Sequence, residues 1–332
     1  MTRLIFTFTD SGAGVLKAAL LADCVIGVEQ RFVCGRLPAS SELDALLSPC
    51  TAARRLGAHW LDNLTGRLLE EAHRQGLGLI EFCERFDAVE LWVDPDPNSH
   101  LQLIWLLDYL RRYTNVTSRL AILQTDHIIG ARQPVDLAAW QRHLAPVRDH
   151  HLQTASDAWS AWGASTPELW FNLLDQGLGA LPQLRNSVVA LLEELPSHGS
   201  ALGATEMQML ELLSAAHVHP YDLFPVQEKP NERQTFGYWE IGALLDGLAR
   251  CPVPAIGGLD EGPFDLAMHE DPDRHQRYKR SRLALTGLGQ AIVDGAADFS
   301  QYNPVHRWWG GTELTNDRLW RWDVESRSLV AP

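Results

Sequence analysis

The chain has 332 residues, of which 45% are hydrophobic; this suits a folded protein of more than one domain and excludes a disordered class. Its 28 Lys and Arg against 42 Asp and Glu give a formal net charge of -14, which disfavours non-specific binding to nucleic acid. The five cysteines are scattered without a Cys-x-x-Cys pair, so a disulfide framework or zinc knuckle is not expected and a reducing compartment is favoured.

The N-terminal part alternates apolar strands with helices. Leu4 to Phe8 predicts a first strand, which is followed by a glycine-containing turn, a helix over Val15 to Leu21 and a second strand over Cys24 to Val28. Further strands are predicted at Val89 to Val93 and Leu120 to Leu123. Long helices are predicted over Thr51 to Arg74 and from Ser99 to about Tyr113, the latter capped by Asn98. This βαβ pattern predicts a Rossmann-like α/β domain with a parallel sheet in residues 1–130.

The rest of the chain is predicted to form two further regions. Residues 131–197 predict a helical connector with breaks at prolines. Residues 198–332 predict a winged-helix-like domain with a Trp-rich C-terminal segment. Its features are a capping box at Thr205 and Gln208, a hairpin formed by Phe264 to Met268 and Ser281 to Leu285, and a last helix capped by Thr286.

The N-terminal apolar run ends at Asp10, which is too short for a secretory signal peptide. No stretch approaches the roughly 20 apolar residues of a membrane-spanning helix. We therefore expect a cytoplasmic protein without a membrane partner.

Three stretches together resemble one bacterial family. They are Thr9 to Lys17 with Gly35 to Leu37, then Leu91 to Asn98, and finally Leu202 to Glu206 with Leu285 to Gly289, Arg307 to Gly311 and Trp320 to Asp323. The chain resembles the family called domain of unknown function eighteen thirty-five, with its C-terminal companion domain. One departure is Arg36, where relatives favour Pro after the glycine. The resemblance implies a fold but brings no reaction, cofactor or catalytic residue to this chain.

The turn after the first strand is the main candidate site for a ligand. Asp10, Ser11, Gly12 and Gly14 lie where a parallel sheet exposes backbone N–H groups and a helix N-terminus, which predicts a small anionic ligand. The alternative is that Asp10 or Ser11 caps the helix and the glycines ease a tight turn.

Asp94 and Asp96 end the third strand and converge on the same edge of the predicted sheet. Carboxylates there could bind a ribose, a metal or an amine. Alternatively, the Asp-Pro-Asp-Pro run forms a stiff solvated loop that caps the next helix.

A hydrolase is a second hypothesis. Ser11 would be the nucleophile, His306 the base and the Gly14 N–H an oxyanion donor, with Asn303 where such enzymes place an Asp. An enzyme using Asp10 with Asp94 to process a nucleotide is a related alternative. A surface His in a Trp-rich segment is the simpler interpretation of His306.

Two C-terminal clusters suggest macromolecular contact. Arg307, Trp308 and Trp309 could grip a partner, although core packing of the indoles is the favoured alternative. Arg277, Lys279 and Arg280 belong to a basic run that could contact DNA phosphates from a wing, or could balance the acidic tip of a hairpin.

These patterns favour a binding or regulatory protein, with an enzyme or a DNA-binding regulator as alternatives. A protein partner is favoured over DNA because the net charge is negative, and an oligomer is compatible with the sequence. No cofactor can be identified. The spacing of His269, Asp271, Asp273 and His275 is not diagnostic, so no metal is predicted.

Overall fold

A computed structural model describes residues 1–50, 59–62, 64–140, 143–215, 218–224 and 235–332. The chain divides into two compact units. Unit 1 comprises Met1–Phe32, Leu37–Ala161 and Gln176–Arg185, whereas unit 2 comprises Val33–Arg36, Trp162–Asp175 and Asn186–Pro332.

Unit 1 is a mixed α/β structure built on one five-stranded sheet. Its strands are β1 (Arg3–Thr7), β2 (Cys24–Gly27), β3 (Ala88–Val93), β4 (Leu120–Gln124) and β5 (Ala145–Pro146). Their order is β2-β1-β3-β4-β5; the first four are parallel, and β5 is antiparallel to β4. The parallel strands therefore confirm the predicted sheet, while β5 lies at Pro146, one of the proline breaks predicted in the helical connector.

The helices of unit 1 are α1 (Asp10–Ala18), α2 (Ser40–Leu47), α3 (Arg67–Gln75), α4 (Leu79–Cys83), α5 (Pro97–Leu110), α6 (Thr114–Thr117), α7 (Pro134–Ala139) and α8 (Asp149–Trp162), the last residue of which belongs to unit 2. The long helix predicted over Thr51 to Arg74 is wrong for residues 59–62, which form a turn. Residues 51–58 and 63 of that prediction lie outside the described residues.

The sheet is covered on both faces. Ile5, Val25 and Trp92 pack with Leu16 of α1 and Leu137 of α7. The β1-to-β2 and β3-to-β4 connections run in opposite directions along the sheet, so the right-handed crossover rule places α1 and α5 on opposite faces. Every residue of α5 except Asp108 is buried, as its apolar sequence predicted.

The predicted cap of α5 is corrected. Asp96, not Asn98, caps α5, because its Oδ1 accepts from the Ser99 N–H at 2.9 Å. The buried Asn98 faces inward, where it accepts from the Phe32 N–H and donates to the carbonyl of Gln30. Asn98 therefore anchors the loop that follows β2.

Unit 2 contains most of the remaining elements. Its helices are α9 (Glu168–Asn172), most of α10 (Leu184–Glu193), α11 (Ala204–Ala215), α12 (Tyr238–Ala249), α13 (Leu266–Glu270), α14 (Pro272–Arg280) and α15 (Gly287–Val293). Its strands are β6 (Ile256–Gly257), β7 (Ala284–Leu285), β8 (His306–Trp309), β9 (Thr312–Thr315), β10 (Arg321–Asp323) and β11 (Ser328–Val330), in three antiparallel pairs. Short 3-10 helices lie at Ile129–Ala131, Leu173–Asp175, Leu178–Ala180, Pro220–Leu223 and Phe299–Gln301.

The predicted hairpin of unit 2 is wrong in its first strand. Most of Phe264 to Met268 falls in α13, and the polar tip becomes α14, which Asp271 caps ahead of Pro272. The second predicted strand does contain β7, which pairs with β6 rather than with Phe264 to Met268. Thr286 caps α15 as predicted, since its side chain accepts from the Gly289 N–H.

The predicted cap at Thr205 is also corrected. Thr205 donates its hydroxyl to Glu194, and Glu206, rather than Gln208, accepts from the backbone N–H of Gly203 before α11. Within the described ranges, no helix is both long and apolar enough to cross a membrane.

Candidate functional site

The chain leaves β1 through a short turn that Thr9 organises. Thr9 has an extended backbone, and its hydroxyl accepts from the Gly12 N–H at 3.2 Å, so Thr9 is the N-cap of α1. Neither Asp10 nor Ser11 has that role. Both are exposed in the first turn of α1, together with Gly14.

Asp94 follows β3 and lies beside this turn. Its side chain is buried, with Oδ2 accepting from the Thr9 hydroxyl at 3.1 Å and Oδ1 accepting from the Ile129 N–H at 2.7 Å. Burial raises the pKa of Asp94 to about 7, against which these two hydrogen bonds act. A carboxyl group that titrates near neutrality is a candidate functional group, because such shifts concentrate at active and binding sites.

Asp94 lies where the strand order reverses. From β1 the chain crosses to β2 on one side, and it then returns past β1 to β3 on the other. In open parallel sheets, ligands bind at the carboxyl ends of the strands at such a reversal. The structure thus brings the predicted residues Asp10, Ser11, Gly12 and Asp94 to one edge of one sheet.

Close packing of backbone shapes this edge. A Cβ on Gly12 would lie 2.7 Å from the Thr9 hydroxyl, and a Cβ on Gly130 would collide with the side chain of Ser11. A Cβ on Gly27, at the end of β2, would lie 3.1 Å from Oδ1 of Asp10. Gly12 therefore leaves room for the Thr9 hydroxyl that caps α1, and Gly130 lets the Ile129–Ala131 segment approach the turn after β1.

Carboxyl groups follow each of the four parallel strands. Asp10 follows β1, Glu29 follows β2, Asp94 follows β3 and Asp126 follows β4. Asp96 is the N-cap of α5, so its role is structural. Burial lowers the pKa of His100, which lies in the same helix. The negative charge of the edge favours ligands that donate hydrogen bonds.

The predicted hydrolase residues fall in different units. Ser11 belongs to unit 1, whereas His306 and Asn303 belong to unit 2. His306 is exposed on β8, with Nε2 3.1 Å from a carboxylate oxygen of Glu313 on β9. Asn303 is buried and bonds both the N–H and the carbonyl of Val253. The contacts of Asn303 give it a packing role.

Much of the Trp-rich segment packs inside unit 2. Arg307 donates to both carboxylate oxygens of the buried Glu206, at 2.8 and 3.2 Å. The indole of Trp309 is buried and donates to the Leu191 carbonyl, and Trp308 is partly exposed beneath the guanidinium of Arg36. These contacts agree with the alternative in which the indoles of this segment pack in the core.

The basic run lies on α14 rather than on a wing strand. Arg274 and Arg277 both pair with Glu261, whose pKa is lowered to about 2, chiefly by the hydrogen bond from Arg277. Lys279 and Arg280 are exposed at the end of α14. The run is therefore partly neutralised by one carboxylate.

Within the part of the chain that the structure describes, no three His, Cys, Asp or Glu side chains lie close enough together to hold a metal ion. The rings of His269 and His275 lie 4.2 Å apart, and each shares a hydrogen bond with a tyrosine hydroxyl, Tyr238 for His269 and Tyr221 for His275.

Sequence reasoning missed Thr9, Ile129 and Gly130 at the sheet edge. Thr9 precedes a helix and is a preferred N-cap type, so that signal was present. The contacts of Ile129 and Gly130 with Asp94 and Ser11 span more than thirty residues of sequence and have no local signal.

Comparison with known proteins adds no identity, since no protein-family model matches the chain and no curated protein matches it.

Proposed function

We propose that the chain is a binding or regulatory protein that holds a small polar ligand at the carboxyl ends of β1 and β3. The carrying observation is the buried Asp94, with a pKa of about 7, at the point where the strand order reverses. Thr9 supplies a hydroxyl group beside it, and Ser11 is exposed in the first turn of α1. We describe unit 1 as Rossmann-like on the basis of its strand order and its helices on both faces.

The chemistry of the edge narrows the class of ligand. A glycine turn by itself predicts an anion, but a carboxyl group follows each of the four parallel strands. We therefore propose a ligand that presents hydroxyl or amine hydrogens, which carboxylates accept, and we retain the anionic ligand as the rival.

We further propose that unit 2 contains a winged-helix-like interaction module. The supporting order is α11, a bridge at Val218, α12, β6, β7 and α15, with Val218 paired to Leu283 and β6 paired to β7. The helical pair α13 and α14 would then be an insertion between the last two strands.

A protein partner is a better proposal for this module than DNA. By its position before β6, α12 corresponds to the recognition helix of such folds. It carries Glu240 and Asp246, and the cation at its end, Arg250, pairs with Asp246 at 3.0 Å. Phosphate contacts need free cations, whereas the exposed Tyr238 and Trp239 at the start of α12 suit a protein surface.

An enzyme is the second candidate, and Asp94 is the observation that favours it. A carboxyl group with a pKa of about 7 is well matched to general acid–base work at neutral pH. In that case Asp94 would act on a ligand proton beside Ser11. The cytoplasmic location and the membership of family eighteen thirty-five also remain proposals that rest on the sequence alone.

The test is a thermal-shift screen of the full chain against sugars, nucleosides, amino acids, sugar phosphates and coenzymes. A ligand present at 100 times its dissociation constant should stabilise the protein by about 2.7 kcal/mol. We expect a hydroxyl- or amine-bearing hit that is lost in Asp94→Asn and Asp10→Ala.

Glu70→Gln is the matched control, because Glu70 is exposed on α3, away from the ends of β1 and β3. A hit that survives Asp94→Asn would contradict the proposed site. A hit restricted to sugar phosphates would favour the anionic rival.

A further inference from the structure

Two tyrosines and two histidines of unit 2 form one hydrogen-bonded chain, which we call the Tyr–His cluster: Tyr221, Tyr238, His269 and His275. The two hydroxyl oxygens are 2.7 Å apart. Nε2 of His275 lies 2.8 Å from the Tyr221 hydroxyl, and Nε2 of His269 lies 3.3 Å from the Tyr238 hydroxyl. The four residues belong to the 3-10 helix at Pro220–Leu223, α12, α13 and α14. The cluster therefore joins the first residue of α12 to three other elements.

The chemistry of these groups limits the number of protons that the chain can hold. Three hydrogen bonds need three donated protons, and each tyrosine hydroxyl supplies one. The third must come from Nε2 of one histidine, while Nε2 of the other accepts. Neutral histidines fill both roles by their choice of tautomer. If both Nε2 atoms carried a proton, four protons would compete for three bonds, and one hydroxyl would have to turn out of the chain.

The surroundings of the two imidazoles also oppose a second positive charge. Their ring centres lie 4.2 Å apart, so two imidazolium ions would repel each other. Lys279 on α14 disfavours the charged form of both rings, whereas Asp265 favours it at His269. Burial, followed by the neighbouring positive charges, lowers the pKa of His269 and of His275. Tyr278, which packs on the cluster, stays neutral because burial raises its pKa.

We propose that the Tyr–His cluster is a pH-sensitive switch, which is closed while at least one of its histidines is neutral and opens when both are protonated. Opening breaks the contacts of Tyr238 and loosens the start of α12 from α13 and α14. A histidine released from the cluster has a pKa of about 6.5. The stability of the closed state is therefore present above pH 6.5 and is lost as the pH falls below it. This switch depends neither on a ligand at Asp94 nor on a partner of unit 2.

Hydrogen exchange of the backbone amides, measured by mass spectrometry on the full chain at pH 7.5 and 5.5, tests the proposal. After correction for intrinsic exchange rates, peptides of α12 and α14 should lose about tenfold in protection at pH 5.5. That factor is the preference of a proton for a released histidine over a closed cluster that excludes it. Peptides of α5 in unit 1 are the internal control and should not lose protection. Unchanged protection of α12 and α14, or an equal loss in α5, would overturn the proposal.

His269→Gln and His275→Gln assign the effect to the cluster. Glutamine donates and accepts hydrogen bonds but takes up no proton, so the remaining histidine can be charged within the cluster. Each variant should therefore reduce the loss in α12 and α14 to less than about twofold. His73→Gln, at an exposed position on α3, is the matched control and should keep the tenfold loss. A tenfold loss that persists in both cluster variants would refute the assignment.

The wild-type protein supplies a readout that needs no variant to fold. In an NMR titration of the histidine ring protons, at least one of His269 and His275 should have a midpoint about one pH unit or more below 6.5. Two midpoints near or above 6.5 would show that the cluster accepts both protons and would exclude the switch.

Discussion

Asp94 of unit 1 and Glu206 of unit 2 are both buried carboxyl groups, but their partners differ in kind. Glu206 faces the guanidinium of Arg307 through two hydrogen bonds and in turn raises the pKa of that arginine. Asp94 accepts hydrogen bonds from a hydroxyl and a backbone N–H, and its pKa is raised to about 7 by burial.

The difference separates a carboxylate paired with a cation from a carboxyl group held by neutral donors. A full positive charge keeps a buried carboxylate ionised and fixes it in place. Neutral donors compensate the charge only in part, so the group gains or loses a proton near neutral pH. That property makes Asp94, rather than Glu206, the candidate for binding chemistry.

The largest expected effect comes from breaking the ion pair. Arg307→Met leaves the carboxylate of Glu206 buried without its cation and should lower the free energy of unfolding by about 3–5 kcal/mol in denaturant titrations. The double variant with Glu206→Gln should recover most of that loss. An equal loss in the single and double variants would mean that packing, not charge, stabilises the contact.

The stability that Asp94 contributes should depend on pH near neutrality. Its pKa is about 7 in the folded protein and about 4 in the unfolded chain, so the folded state holds the proton more tightly. The stability contributed by protonated Asp94 is present at pH 5 and lost as the pH rises through 7, a fall of about 2–3 kcal/mol by pH 8. The difference between the denaturation profiles of wild type and Asp94→Asn should show this fall. A flat difference would contradict the raised pKa.

Thr9→Val sharpens the comparison by removing one of the neutral donors. It should lower the free energy of unfolding by about 1–2 kcal/mol through loss of the α1 cap. The titration midpoint of Asp94 should also move to higher pH, because the hydroxyl stabilises the ionised form. Carboxyl chemical shifts from NMR measure the midpoint, and Thr9→Ser, which keeps the hydroxyl, should preserve it.

The smallest effect is expected at Asp96. Asp96→Ala removes the α5 cap and should cost about 1 kcal/mol. It should shift the Asp94 midpoint slightly downward, since the charge of Asp96 raises the pKa of Asp94. An upward shift of that midpoint would show that the two carboxyl groups do not interact as described.

The sequence predicted the strands of unit 1 well, because short apolar runs bounded by turn residues have few other structures to adopt. It could not predict the strand order that sets Thr9 beside Asp94, since that hydrogen bond joins residues 85 positions apart. The roles of Asp96 and Asn98 were exchanged for a related reason. Both are good N-cap types, and only the position of the Gln30–Phe32 loop shows that Asn98 faces inward.

In unit 2 the error at α13 and α14 was avoidable. Asp271 followed by Pro272 is a cap and first-turn signal, which the strand-like run at Phe264 obscured. The Arg307 and Glu206 pair, separated by 101 positions, had no local signal. Long-range polar contacts of this kind decide which charged residues are structural.

Trp162, Trp170 and Trp309 form a three-indole cluster in unit 2, with ring centres 4.5 and 4.9 Å from Trp162. Unit 1 has its own pair, Trp92 and Trp140, with centres 6.1 Å apart. Indoles at such separations exchange excitation energy and couple their near-ultraviolet transitions. Each unit therefore has its own optical signature, and near-ultraviolet circular dichroism can follow the melting of each unit without any added label.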